Sequence, residues 1–393
     1  MNRNLWFLTG AQALFLTNNV TFIAINALVG LSLAPLGWMA TLPVLGYVVG
    51  GALSTGVVAR TQSRFGRKTS FQLGLLVAFA SALLCAWAVV NRQFWLLCGA
   101  TVLAGFYNAN AQLYRFAAAE LAAPGAREKA VSLVMAGGLA GAVLGPNMAA
   151  WTRNLTGTPF AGAYLALAFV ALLGMLLLWR IDFPAPAAAA SGASGRSLAV
   201  IMRQPAFIVA AAAGALGYGV MNLLMAATPL AMQQCQLPFS DIALVLEFHV
   251  IGMFAPGFFT GHLIRRFGAL PVMGVGVFLN LLCIGIALSG QDLHQFVVAL
   301  LLLGVGWNFL FTGSTALALQ TYAPEERDKA QGALNFFVFA TLAVSSFASG
   351  VLVTTRGWNL LNYGSLIPVA LTAIALAWMA RKDAVSAPSR ARP

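Results

Sequence analysis

Two pairs of soft donor side chains stand four residues apart in the second half of the chain. Met221-Asn-Leu-Leu-Met225 and His249-Val-Ile-Gly-Met253 each put two metal-capable groups on one face, provided their segments are helical. Their depths agree as well. With helix ends near 232 and 240, Met225 and His249 lie about 7 and 9 residues below one membrane face, and Met221 and Met253 about 11 and 13. At ~1.5 Å per residue, each rung matches to within roughly 3 Å. Turned toward a common cavity, the four side chains make a three-Met, one-His cluster. Thioethers are soft donors that select Cu(I), and imidazole is a borderline partner, whereas Zn(II) or Mg(II) asks for thiolates, carboxylates or several imidazoles. Such a neutral set holds a monovalent ion without burying fixed negative charge. The plain alternative is that these methionines are apolar filler.

Other polar groups also fall inside apolar segments, where they are costly without a task or a partner. Asn18, Asn19 and Asn108 are expected in a substrate pathway, with Tyr107, Asn110, Gln112 and Arg115 as further polar positions. Arg115 and Glu120 sit near the end of the fourth segment, where an ion pair or a snorkelling guanidinium is expected. Glu247 lies about 200° around the helix from His249 and so stands outside the Met/His cluster. Two roles stay open for it, a coupling proton carrier and a helix-bridging hydrogen bond. Cys235, just beyond the seventh segment, joins the pathway candidates because a thiol there meets an oxidant or a metal. Cys85, Cys98 and Cys283 read as filler, and no CxxC spacing occurs. Neither a nucleophile–base constellation nor a nucleotide loop is evident, so an enzyme is not expected and no cofactor is implied.

The elements that must position these groups follow from composition. Hydrophobic residues make up 60% of 393 positions and charged residues only 8%, a balance that needs lipid as its solvent. Twelve segments near the ~20-residue length of a bilayer crossing fall at 5–29, 36–58, 70–90, 95–119, 130–151, 160–180, 206–232, 240–264, 270–289, 295–321, 330–353 and 360–380. They must be helices, because backbone groups in hydrocarbon pair internally and the alternation of a barrel is missing. The net charge of +12 does not imply nucleic acid, since the basic residues gather at helix ends. Only Arg92, Arg153 and Arg356 fall on the side away from the termini, which places both termini in the cytoplasm. Trp6, Trp38, Trp95, Trp151, Trp179, Trp358 and Trp378 fall near helix ends, as an interfacial belt requires. The first segment is long enough to span, so no cleavable signal peptide is expected.

The chain also repeats itself. Ala123-Pro-Gly-Ala-Arg-Glu-Lys-Ala130 returns as Ala323-Pro-Glu-Glu-Arg-Asp-Lys-Ala330, and Ser63-Arg-Phe-Gly66 returns as Arg265-Arg-Phe-Gly268, offsets of 200 and 202. Between the halves runs a small-residue stretch beginning Pro184-Ala-Pro, which reads as a linker. Hence the expected division is an N-terminal six-helix bundle at 1–180, a cytoplasmic linker at 181–205, a C-terminal bundle at 206–380 and a tail at 381–393. An even number of spans per half makes the repeat parallel, with its axis along the membrane normal.

This pattern resembles the major facilitator superfamily, which implies an all-α membrane protein of twelve transmembrane helices in two pseudo-symmetric six-helix bundles. The loop after the second span of that superfamily carries Gly-x-x-x-Asp-Arg-x-Gly-Arg-Arg. Here Arg64, Gly66, Arg67 and Lys68 match its second part, while Ala59 and Ser63 replace the first Gly and the Asp. The second copy keeps Gly261, Arg266 and Gly268 but has Arg265 in the acidic position. Gating of the cytoplasmic face by Arg64, Gly66, Arg67, Arg266 and Gly268 is the implied role, beside a topogenic and turn role. Gly145-Pro146 resembles an antiporter element of the fifth span, and it also reads as a tight-packing site.

The Met-x-x-x-Met and His-x-x-x-Met pairs in the seventh and eighth spans resemble the CcoA-like copper importers, which serve cytochrome oxidase assembly. That resemblance implies a secondary transporter importing copper across the bacterial inner membrane by alternating access. Met221, Met225, His249 and Met253 would then hold copper as cargo, and a cytoplasmic copper chaperone would be a partner. The lipid bilayer and a monomeric state complete this expectation, with no nucleic acid. The alternative is a transporter of small organic molecules, either a drug exporter or a metabolite importer.

Overall fold

The computed structural model describes residues 2–123, 127–183, 195–323 and 326–386. The centres of the two 200-offset repeats and most of the small-residue linker fall outside these residues. Ten helices among the described residues are long and apolar enough to cross a membrane. Two further crossings are hidden by how the helices join and break. The 49-residue helix Leu42–Val90 is about 74 Å long if straight, more than twice the bilayer core. It is not straight, because Gly66 has φ 80° and ψ 170° and turns the chain back on itself. The second and third spans are therefore 42–65 and 67–90. The fourth is Phe94–Ala111 continued, after a break at Gln112 and Leu113, by Tyr114–Leu121. Twelve crossings result.

The remaining spans are Arg3–Leu33 (first), Arg127–Thr152 (fifth), Ala161–Trp179 (sixth), Pro205–Gln234 (seventh), Ala269–Ser289 (ninth), Leu293–Ala318 (tenth), Arg327–Thr355 (eleventh) and Gly357–Ser386 (twelfth). The eighth is Phe239–Phe254 continued by Gly257–Phe267 after Pro256, which has no N–H to extend the ladder. The twelfth helix runs to Ser386, five residues past the expected start of the tail at 381.

Gly268 joins the eighth and ninth spans with φ 88° and ψ 164°, nearly the conformation of Gly66. That region is open to glycine alone, so the repeat at offset 202 preserves a backbone requirement as well as a charge pattern. Gly66→Ala and Gly268→Ala are each expected to cost about 1–3 kcal/mol, read as a lower melting temperature of the purified protein. Arg64 and Arg266 stack on the next ring, Phe65 and Phe267, at 5.3 and 5.2 Å. Arg67 grips Glu120 through two parallel bonds and donates to Gln62 Oε1 at 2.9 Å. Of the two expectations for Arg115, the ion pair with Glu120 is not the one seen: Arg67 holds that carboxylate, and the Arg115 guanidinium lies 5.0 Å from the Phe116 ring.

Spans 1–6 pack chiefly on one another and spans 7–12 do the same, with the first span against the fifth and the seventh against the tenth, eleventh and twelfth. Close approach of the first and fifth spans depends on small residues. A Cβ at Gly141 would lie 2.5 Å from the Ala13 carbonyl oxygen, and Thr21 Oγ1 donates to Gly145 O at 2.8 Å. Exposed Trp6, Trp95, Trp151, Trp179 and Trp378 lie toward helix ends as an interfacial belt requires. Trp358 and Trp38 do not belong to that belt. Trp358 is 3% exposed and donates from Nε1 to Ala287 O at 3.1 Å, while Trp38 packs edge-on to Phe347 of the other half.

Candidate functional site

The two halves meet along the face away from the termini, called the far face below. Thr41 Oγ1 donates to Ser346 O at 2.8 Å, and Asn147 Nδ2 donates to Glu247 Oε2 at 2.7 Å. Phe160 packs edge-on to Phe239 at 5.2 Å, with the Arg153 guanidinium 5.1 and 5.4 Å from the two rings. A cavity of about 460 Å³ opens beside this seam, lined by Arg92, Arg153, Gln233 and Phe239 among others. It is a mouth at the far face, remote from mid-membrane chemistry. Glu247 therefore bridges helices, and it does so across the two halves.

The Met/His set is buried. Met221, Met225 and Met253 are 3, 4 and 7% exposed, and His249 is fully enclosed. His249 Nδ1 donates to the Leu300 carbonyl of the tenth span at 2.7 Å, and its Nε2 is enclosed without a hydrogen-bond partner. The Met253 carbonyl accepts from Asn308 Nδ2 at 2.7 Å, also on the tenth span. Beside Met221, Asn222 Nδ2 donates to Ser345 Oγ and Ser346 Oγ at 2.9 and 2.8 Å, tying the seventh span to the eleventh. Spacing fixed which residues share a face of their own helix. It did not fix which neighbour that face meets.

Of the other expected residues, Asn18 is buried in the first span, and Asn19 Nδ2 donates to the Tyr47 hydroxyl at 2.9 Å. Asn108 accepts a long bond of 3.5 Å from Gln112, and Asn110 accepts from Ser70 Oγ at 2.7 Å, joining the third and fourth spans. Cys235 caps the seventh span, its thiol donating to Gln291 Oε1 at 3.1 Å. Burial, with the Asp292 carboxylate second, pushes that thiol up, away from the thiolate a redox or metal role needs.

Mid-membrane, spans 7, 8 and 10 assemble a group of rings absent from the expectations. Trp307 and Phe311 stack at 5.2 Å with planes 9° apart. Tyr218 stands edge-on to both, at 5.1 and 5.4 Å, and Phe254 closes on Trp307 at 6.3 Å. Tyr218, Phe254 and Phe311 are partly accessible. Across from them, Arg115 and Tyr47 of the first half lie within electrostatic range of Tyr218. The Trp307-x-x-x-Phe311 spacing would have revealed one side of this group, since i and i+4 rings share a helix face. Partly open rings of this kind stack flat aromatic molecules.

At the terminal face the end of the linker docks on the second half. Glu326 accepts from Arg196 N, Nε and Nη2 at 2.7, 2.9 and 2.7 Å and from Ala323 N at 3.0 Å, while Lys329 Nζ donates to Arg196 O at 2.6 Å. The Arg196 side chain, and after it the Ala323 amide, holds the Glu326 carboxyl down at about 2. A depressed carboxyl leaves the contact whole above the ordinary carboxylate value and loses it as pH falls toward 2. Limited proteolysis near 195–205 is expected to be unchanged from pH 8 to pH 5 and to quicken in Glu326→Gln at every pH in that range.

The sequence profile of the Major Facilitator Superfamily matches residues 5–255 and 210–393. The riboflavin transporter RfnT of Brucella anthropi is 38% identical over 377 residues, which cover 95% of each chain. Among solved structures, a D-xylose–proton symporter superposes with a TM-score of 0.73 at 14% identity, covering 95% of this chain and 96% of the other. A bacterial metal transporter gives 0.68 at 16% identity, covering 96% and 98%, a likeness of fold alone. These findings overturn the expected copper import. The relative that matches along the full length of the chain is a riboflavin transporter, not a copper importer. No cluster of three or more His, Cys, Asp or Glu able to hold a metal occurs among the described residues. The twelve crossings, the two packed halves and the match along nearly the whole sequence lead to one assignment: the chain belongs to the major facilitator superfamily.

Proposed function

We propose that this transporter carries riboflavin, or a flat heteroaromatic close to it, across the bacterial cytoplasmic membrane by alternating access. The observation that carries this reading is the 38% identity to a riboflavin transporter over 95% of both chains. The ring group of Tyr218, Phe254, Trp307 and Phe311 supports it, since an isoalloxazine is a flat apolar plate that stacks on such rings. The excess of Lys and Arg on the terminal face argues that this face is cytoplasmic. The far-face seam then seals the periplasmic end. In this cycle the bundles 1–180 and 206–380 rock about the ring group, joined through 181–205.

The test is uptake of radiolabelled riboflavin by a riboflavin-requiring bacterium that lacks its own importer. Cells expressing the chain are expected to accumulate label and grow on low riboflavin. Equal accumulation with empty vector, together with no riboflavin movement in inverted membrane vesicles, rejects the reading.

A further inference from the structure

Two enclosed hydrogen-bond donors near the ring group lack acceptors, Trp307 at mid-membrane and Arg115 nearer the terminal face, in the last turns of the fourth span. Arg115 Nε is enclosed without a hydrogen-bond partner, and so is Trp307 Nε1. They lie on opposite halves and share one neighbour, since Arg115 is within electrostatic range of Tyr218 and Trp307 touches its ring at 5.1 Å. Both groups donate only, because neither a guanidinium nor an indole N–H accepts. The carboxylates that could answer Arg115 are engaged elsewhere. Glu120 is held by Arg67, and Glu247 is bonded to Asn147 toward the far face. Enclosed donors without acceptors are rare and unfavourable, and the Phe116 ring, 5.0 Å from the Arg115 guanidinium, offers it a π face but no hydrogen-bond acceptor. A carrier whose cargo brings the acceptors removes that penalty whenever it is loaded.

We infer that Arg115 is the cargo-reading residue of this site, its planar fork taking two adjacent acceptors on the edge of a ring stacked against Tyr218 and Trp307. The inference deepens the riboflavin reading and rests on it for the choice of cargo. It narrows the cargo to flat heteroaromatics, neutral or anionic, that carry a carbonyl oxygen beside an unprotonated ring nitrogen. Lipophilic cations are excluded, because they would face a fixed positive charge with donors alone around it. A flavin offers two such edges, N1 with the C2 carbonyl and N5 with the C4 carbonyl. A guanidinium fork meets either one in two parallel bonds, which an ammonium cannot do.

The experiment uses the full-length protein purified in nanodiscs and reads riboflavin binding by quenching of flavin fluorescence. Wild type is compared with Arg115→Lys and Arg115→Gln, using riboflavin, 1-deazariboflavin and 5-deazariboflavin. Both variants are expected to bind riboflavin at least tenfold more weakly. One of the two deaza compounds is expected to lose at least tenfold against riboflavin in wild type and to lose nothing further in Arg115→Gln. Wild-type affinity for riboflavin in Arg115→Gln, or equal binding of all three flavins by wild type, overturns the inference and leaves the riboflavin reading standing. If wild type binds no flavin, that reading falls, and thermal melting of ligand-free Arg115→Met decides the role of Arg115. Removing an unanswered cation should leave the melting temperature equal or higher, since apolar replacement of poorly compensated buried charge is neutral or stabilising. A fall of several degrees would show a structural partner and overturn the inference.

Discussion

Trp307→Ala is expected to lower riboflavin transport between about fivefold and 150-fold, the equivalent of the ~1–3 kcal/mol that stacking one heteroaromatic ring on an aromatic side chain contributes. Trp307 is 7% exposed and touches Tyr218, Phe254 and Phe311, so alanine also opens a void in the second bundle. Trp307→Phe separates the two effects. It keeps a stacking plate and most of the volume while losing Nε1–H. Transport by the Phe variant should therefore fall less than in the Ala variant, with melting temperature close to wild type. Initial rates of labelled uptake, normalised to protein in the membrane, provide the measurement. If both variants transport riboflavin at the wild-type rate, the ring group has no part in the cargo path.

Gly141→Leu is expected to abolish assembly of the first bundle. A Cβ there would sit 2.5 Å from the Ala13 carbonyl oxygen and 2.5 Å from Leu16 Cβ, and a backbone oxygen cannot swing aside as a side chain can. Relief requires the first and fifth spans to separate along their contact. The cost is at least about 3 kcal/mol, the upper part of the range for overpacking, and it recurs in every conformation that keeps the bundle intact. One turn away, Gly138 is a built-in control, since its Cβ would meet side-chain atoms alone, the nearest being Leu16 Cγ at 3.3 Å. Gly138→Ala should express and melt nearly as wild type, whereas Gly141→Leu should yield little folded protein by size-exclusion chromatography. Comparable yields for the two would remove the close-approach argument for this face.

Hydropathy located the crossings because a span is a local property, about 20 apolar residues in a row. It placed breaks at 59–69 and 265–269, and there the structure has single glycines instead of loops. The repeat offset of 202 marked the same positions, and their positive φ gives the reason. The break at Gln112 was not legible. Asn108, Asn110 and Gln112 read as deep polar groups, yet the Asn110 side chain donates to the Phe106 carbonyl at 3.1 Å, a local bond that competes with the helix ladder.

The site was legible only as a list of chemically able residues. Met221, Met225, His249 and Met253 share faces as their spacing requires, but helix rotation is fixed by partners far off in sequence. Leu300 and Asn308 bond the eighth span, and Ser345 and Ser346 the seventh. No periodicity carries that information. Arg115 was visible as a cation in an apolar stretch, and its lack of a carboxylate partner became visible only once Glu120 was found on Arg67.

Among the described residues, the seam between the halves on the far face contains two hydrogen bonds and a few ring contacts beside the packing of the fifth span on the eighth and the second on the eleventh. A neutral intramolecular hydrogen bond contributes about 1 kcal/mol net, and one to a charged group about twice that. A closure of this strength works as a light catch rather than a lock. In the proposed cycle, thermal motion springs it on the timescale of domain movements, and its strength sets how long the protein dwells in each stance. Asn147→Ala should therefore speed exit from this stance instead of silencing the protein. A carrier fastened here by a buried ion-pair network would hold its stance for longer and cycle more slowly.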